Sequence, residues 1–197
     1  MSLLVLMGKS CSGKDTIANE LVNKYGYENF VSYTTRPMRD GEIQDQTYHF
    51  ISEDEFISKI NDGFFLEYRK YLSASGLWYY GTAKEDYEKD CKMVSILTPD
   101  GVNTLISKGI NPKVIYIYAN QITIKKRLLK RGDNKEEAER RMKADNVDFR
   151  GAEMLANRII YNNEGKELSE VVNEVLKLKW GWLRLIIVVY VPSIVVG

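Results

Sequence analysis

Four residues separate Gly8 from Gly13, Lys14 follows at once, and an apolar run at 3–7 comes directly before them. A strand must end here, the backbone must turn tightly, and a helix must begin. Apolar residues return with helical spacing in Thr16-Ile17-Ala18-Asn19-Glu20-Leu21-Val22. The spacing Gly-x-x-x-x-Gly-Lys turns successive backbone N–H groups inward and so builds an anion cradle. The helix behind it adds the positive end of its dipole. Gly8, Lys9, Ser10, Cys11, Ser12, Gly13 and Lys14 are therefore expected to hold the phosphates of a nucleoside triphosphate, with Asp15 and Thr16 completing the segment. The Lys14 ammonium would face the β- and γ-phosphates. The position after this Lys usually offers a Ser or Thr hydroxyl to Mg²⁺. Here it is Asp15, so Asp15 and Thr16 are both candidate metal ligands.

Short apolar runs alternate with helical patterns along the rest of the chain. Residues 3–7, 30–32, 93–97, 114–118 and 158–161 read as strands. Residues 14–25, 85–91, 100–108, 121–130 and 166–179 read as helices. This alternation predicts an α/β fold: a parallel five-stranded core sheet covered by helices, with its ligand site at the carboxyl ends of the strands. The 197 residues suffice for one such core with small insertions. Two stretches break the pattern. Residues 33–82 hold strand candidates at 48–51, 64–68 and 78–80, a helix at 52–61 and many aromatics, and read as a small mixed β insertion. Residues 131–149 are highly charged without a long apolar stripe and read as a helical lid. The core is then 1–32, 83–130 and 150–179, and neither insertion is long enough to fold alone.

Lys and Arg number 28 against 27 Asp and Glu, which leaves no field to attract a polymeric nucleic acid. Two cysteines, Cys11 and Cys91, suit a reducing, cytoplasmic setting better than a disulfide framework. No signal peptide is read at the N-terminus. The tail at 180–197 is apolar, but its uncharged stretch is short and broken by Pro192. It reads as an added strand, an oligomer contact or an aggregation-prone end rather than a membrane span.

A second segment, Ser32-Tyr33-Thr34-Thr35-Arg36-Pro37-Met38-Arg39-Asp40-Gly41-Glu42, places two guanidinium forks in one loop. Such forks clamp phosphate oxygens bidentately. Phenols at Tyr48 and Tyr80 could complete the clamp. With Tyr48-His49-Phe50, Phe65-Leu66-Glu67-Tyr68 and Tyr79-Tyr80-Gly81-Thr82, this segment resembles the guanylate kinase family of nucleoside monophosphate kinases over residues 1 to about 178. His49, the one histidine, is expected to pack rather than act.

The resemblance implies a P-loop kinase fold and Mg²⁺-assisted in-line phosphoryl transfer from ATP to GMP and dGMP, by a monomer or homodimer. Arg36, Arg39, Tyr48 and Tyr80 would hold the GMP phosphate. Glu67 would accept the guanine N1–H and N2–H, with Ser32 and Thr82 near O6. Lys14, Arg131 and Arg141 would act on the transferred phosphoryl, with Arg140 the alternative to Arg141 and Arg127 a further candidate. Asn162 falls where the family contacts the adenine of ATP. The family's strand-end Asp-Ile-Asp is missing from Ile96-Leu97-Thr98-Pro99-Asp100-Gly101, so Asp15 is expected to restore negative charge toward Mg²⁺. A Gly-Lys-Asp loop also resembles phage-type deoxynucleoside monophosphate kinases, which leaves a broader acceptor range as one alternative. A catalytically silent binding module is the other.

Overall fold

The computed structural model describes residues 2–73, 76–89, 91–132 and 135–178. The apolar tail at 180–197, and the expected last turn at Lys179, lie outside the described residues.

Five parallel strands form the core sheet: β1 (Ser2–Met7), β2 (Glu28–Asn29), β7 (Lys92–Ile96), β8 (Lys113–Tyr118) and β9 (Arg158–Tyr161). Their order is β2-β7-β1-β8-β9. β1 is central, and its alternate side chains divide the core in two. Leu3, Val5 and Met7 meet Met93, Val114, Tyr116, Val102 and Leu105 on one face. Leu4 and Leu6 meet Ile17, Leu21, Val94, Ile115 and Val172 on the other. The second face is covered by α1 (Lys14–Tyr25) and α6 (Leu168–Leu176), the first by α3 (Pro99–Ser107). Thr98 caps α3, its hydroxyl accepting the Gly101 N–H at 3.4 Å.

A smaller mixed sheet has the order β4-β3-β6-β5. It comprises β3 (Tyr33–Thr34), β4 (His49–Phe50), β5 (Phe65–Ser73) and β6 (Gly76–Ala83). The register of β5 on β6 shifts between Phe65 and Glu67, a β-bulge. α2 (Glu53–Asn61) starts at the Ser52 cap and drives Phe56 into this sheet, stacked on Phe65 at 4.4 Å between centroids. Helix α4 (Gln121–Lys130) leads to α5 (Lys135–Asp148), which fills the segment expected to form a lid.

Several sequence expectations shift. The strand expected at 30–32 is β2 at Glu28–Asn29 instead. Phe30 is buried in the core but not paired, because the chain has left the sheet to carry Ser32 toward the second one. The helix expected at 85–91 is only a 3-10 turn, Glu85–Glu88, since Lys92 must already be in β7. α6 is shorter than 166–179 and starts after Glu167. β5 and β6 are longer than expected because each pairs with the other along nearly its whole length, which no local pattern announces. β3 was not anticipated; its two residues pair because β6 and β4 flank them.

Candidate active site

At the carboxyl end of β1 the chain makes the expected tight loop. Gly8 has φ +155°, and a Cβ there would lie 2.3 Å from the Ile117 carbonyl oxygen. Gly13 has φ +101°, and its Cβ would lie 2.3 Å from Asn162 Nδ2. Both positions therefore require glycine. Behind the loop, the Ser12 carbonyl accepts Asn162 Nδ2 at 2.7 Å and Arg127 Nη1 at 3.3 Å. Arg127 also reaches the Cys11 carbonyl at 3.2 Å. Asn162 and Arg127 thus brace the back of the loop. Lys14 curls over its front, donating to the Lys9 carbonyl at 2.8 Å. Burial lowers the Lys14 pKa, opposed by the nearby charges of Asp15 and Asp145.

Across a cavity of about 560 Å³ stands the second sheet. Arg36, 4% exposed, is gripped bidentately by Glu42 and donates to the Pro37 carbonyl at 2.8 Å. It lies 5.0 Å from the Tyr48 ring centroid, and Tyr48 meets Tyr80 edge-on at 6.0 Å. The hydrogen bonds from Arg36 hold the Glu42 carboxyl below its ordinary range. Arg39 is exposed, with its backbone N–H on Glu42 at 2.8 Å, and it lines the cavity with Tyr48 and Tyr80.

Glu67 is buried. It accepts the Thr82 hydroxyl at 2.8 Å, and Ser32 Oγ lies 3.3 Å from Thr82 Oγ1. Burial raises the Glu67 pKa, with the Thr82 hydrogen bond opposing. The carboxylate is thus held ready for donors, in a pocket that penalises its charge when none arrive.

The third wall is α5. Arg140, Arg141, Asp145 and Asp148 line the same cavity. Asp145 accepts the Ser10 backbone N–H at 2.7 Å, and Lys9 Nζ donates to Asn146 Oδ1 at 2.6 Å. Arg131 is exposed at the end of α4 and does not line the cavity, although sequence reasoning grouped it with Arg141. Asp15 and Thr16 are exposed on the first turn of α1, and the Asp15 charge is felt at Tyr48 on the facing wall. Where strand-end carboxylates were missed in the sequence, Leu97 is buried, Thr98 caps α3, and Asp100 pairs with Arg69 at 2.6 Å. His49 stacks on Tyr33 at 4.4 Å and contacts Asp45 at 2.7 Å, away from the cavity lining.

Sequence reasoning missed Glu42 as the holder of Arg36 and Asp145 as the partner of the phosphate loop. Glu42 lay within the quoted segment, so its i+6 spacing from Arg36 was an available signal. Asp145 had none.

The family model for guanylate kinase matches residues 1–179. The chain belongs to the guanylate kinase family. A guanylate kinase of Sulfurimonas denitrificans is 37% identical over 149 residues, covering 72% of this chain and 70% of that one. A guanylate kinase of Helicobacter pylori is 33% identical over 183 residues, covering 89% of this chain and 86% of the other. In fold the chain is similar to a crystal structure of guanylate kinase from Anaplasma phagocytophilum, with TM-score 0.66, 20% identity, and 89% and 82% of the two chains covered. As a family member, this chain is a nucleoside monophosphate kinase, an ATP:GMP phosphotransferase. No helix among the described residues is long and apolar enough to cross a membrane.

Proposed function

We propose that the chain transfers the γ-phosphoryl of ATP to GMP across this cavity, with 33–82 as the acceptor-binding unit, 131–149 as the lid and the remainder as the donor-binding core. One observation carries the assignment. Gly8, Ser10 and Lys14, then Arg39, Tyr48 and Tyr80, then Arg140 and Arg141 face a single cavity from three walls. Two phosphate-binding walls that share a space suit two nucleotides meeting at their phosphates. The third wall adds the positive charge that the transferred group needs.

In this reading the loop N–H groups and Lys14 hold the β- and γ-phosphates. Arg39, Tyr48 and Tyr80 hold the acceptor phosphate, with Arg36 clamped by Glu42 beneath them. Arg140 and Arg141 reach the moving phosphoryl, whereas Arg131 acts at most after the lid shifts. Glu67 takes the two guanine donors, and Ser32 and Thr82 stand at O6. Asn162 serves the donor site through the loop backbone it holds.

The residues around the loop fit Mg²⁺ in their chemistry: Asp15 and Asp145 are hard oxygen donors whose charges both act on Lys14. Among the described residues no group of three acidic or imidazole side chains gathers, so the phosphates themselves and water would supply most ligands. The ion, when bound, neutralises charge on the transferred phosphoryl. Two cysteines far apart in sequence, Cys11 and Cys91, suit a reducing, cytoplasmic setting.

A coupled assay of ADP formation with GMP, dGMP, AMP, CMP, UMP and dTMP tests the reading. Turnover selective for GMP and dGMP is expected. Equal turnover of all six would overturn the assignment of Glu67, and no turnover with any would overturn catalysis.

A further inference from the structure

Arg69 on β5 stands directly opposite Tyr80 on β6, and Glu67 stands opposite Thr82. Residues directly opposite in an antiparallel pair share one face of the sheet, and so do alternate residues of one strand. These four side chains therefore form two adjacent rows, and Glu67, Arg69 and Tyr80 all line the large cavity. The first row carries the carboxylate assigned to the base, the second the phenol assigned to the acceptor phosphate. Tyr80 meets Tyr48 edge-on at 6.0 Å, which joins the second row to the phosphate clamp. In this sheet β5 is one edge strand and β4, which follows Tyr48, is the other. Arg69 and Tyr48 thus flank Tyr80 from opposite sides.

The clamp is short of positive charge that a phosphate can use. Arg36 is gripped bidentately by Glu42, whose side chain is only 16% exposed, so much of its charge is offset within the protein. Arg69 has a looser partner. Its Nη2 lies 2.6 Å from Asp100, but the Asp100 side chain is 78% exposed. An ion pair with one partner in water is weak, because screening and side-chain freedom offset the Coulomb gain. A phosphate dianion carries more charge than a carboxylate and accepts two parallel N–H donors from the planar guanidinium fork. Arg69 can therefore exchange Asp100 for a phosphate at little cost. The seat of β5 on α3 does not rest on this pair alone, since Lys108 Nζ, just past α3, donates to the Leu66 carbonyl.

We propose that Arg69 is an acceptor-binding residue: its guanidinium leaves Asp100 for the phosphate of the bound nucleoside monophosphate and supplies charge that Arg36, tied to Glu42, does not. Asp100 is then a competitor for the same cation, and the pair sets how tightly the acceptor is held. Glu67 reads the base, and Arg69, one row along the same face, reads the presence of a phosphate. This inference rests on the reading that places the acceptor nucleotide on this face of the second sheet.

The test is calorimetric binding of GMP and of guanosine, which lacks the phosphate, to the full chain and to its Arg69→Met and Asp100→Asn variants. Arg69→Met should raise the Kd for GMP about tenfold or more, the weight of a hydrogen bond to a charged group, and leave the Kd for guanosine within about twofold. Asp100→Asn separates a ligand group from a structural one. Both substitutions break the ion pair, so a merely structural pair would weaken GMP binding alike in both. If Arg69 binds the phosphate, Asp100→Asn frees it, and the Kd for GMP stays level or falls by up to about threefold, the scale of one exposed ion pair. A Kd for GMP that rises less than about threefold in Arg69→Met overturns the proposal. So does an equal loss of GMP and guanosine binding, or a loss in Asp100→Asn that matches Arg69→Met. If the wild type binds guanosine as tightly as GMP, the placement of the acceptor phosphate fails and this inference fails with it. A wild-type preference for GMP that Arg69→Met leaves intact overturns Arg69 alone.

Discussion

The Asp145 carboxylate on α5 accepts the Ser10 backbone N–H of the phosphate loop at 2.7 Å, bridging 135 positions of sequence. Beside it, Lys9 reaches Asn146 at 2.6 Å. Helix α5 is thus tied to the loop by an anion in a loop built for anions. Burial raises the Asp145 pKa, and the Ser10 bonds and the charges of Lys14 and Lys9 oppose the rise.

Removing that tie should loosen the lid. Asp145→Ala is expected to speed amide hydrogen exchange across 135–148 about tenfold, since a hydrogen bond to a charged group is worth about 1.5–3 kcal/mol before solvent screening. Exchange in α1 should not change. Equal protection in both proteins would show that the contact does not hold the lid.

Glu67→Gln should trade activity for stability. Gln offers one acceptor and one donor where guanine presents two donors, so kcat/KM for GMP should fall by about 30-fold or more. The folded pKa of Glu67 lies above its ordinary 4.5. The folded state then holds its proton more tightly than the unfolded chain, so stability declines as pH rises through that raised value. The melting temperature of Glu67→Gln should accordingly match the wild type near pH 4 and exceed it once pH has risen through that raised value. A constant difference across that range would contradict the linkage.

The two loop glycines should differ in what they tolerate. A Cβ at Gly8 meets the Ile117 backbone carbonyl, which cannot move aside, whereas one at Gly13 meets the Asn162 side chain. Gly8→Ala should cost more than about 2 kcal/mol in denaturant unfolding, and Gly13→Ala less. Gly13→Ala should still lose most turnover, because it displaces the brace on Ser12. The reverse order of stability would refute the steric account.

Asp15 sits where other phosphate loops carry a hydroxyl, and no carboxylate ends the neighbouring strand. Asp15→Ser is expected to raise the Mg²⁺ concentration at half-maximal rate several-fold, with ATP held saturating. Identical Mg²⁺ curves would remove Asp15 from the metal's surroundings.

The sequence made the fold legible wherever the signal was local. Four of the five core strands carry apolar runs, β2 at Glu28–Asn29 being the exception, and the loop at Gly8–Lys14 marks its own geometry. Pairing was harder. Tyr33 and Thr34 become a strand only because β4 and β6 lie on either side, and β5 extends to Ser73 only because β6 matches it. The candidate site followed the same division. Arg36, Glu67 and Thr82 belonged to recognisable strings, whereas Asp145 sits in a charged helix that reads as solvated.

The bulge in β5 carries a final consequence. Phe65 pairs with Ala83, yet Glu67 pairs with Thr82, so Leu66 is one residue more than β6 can match. Were β5 to pair without the bulge, continuing from Phe65 on Ala83, Leu66 and not Glu67 would stand opposite Thr82. The pairing of Glu67 with Thr82 therefore depends on a residue count as well as on a residue type.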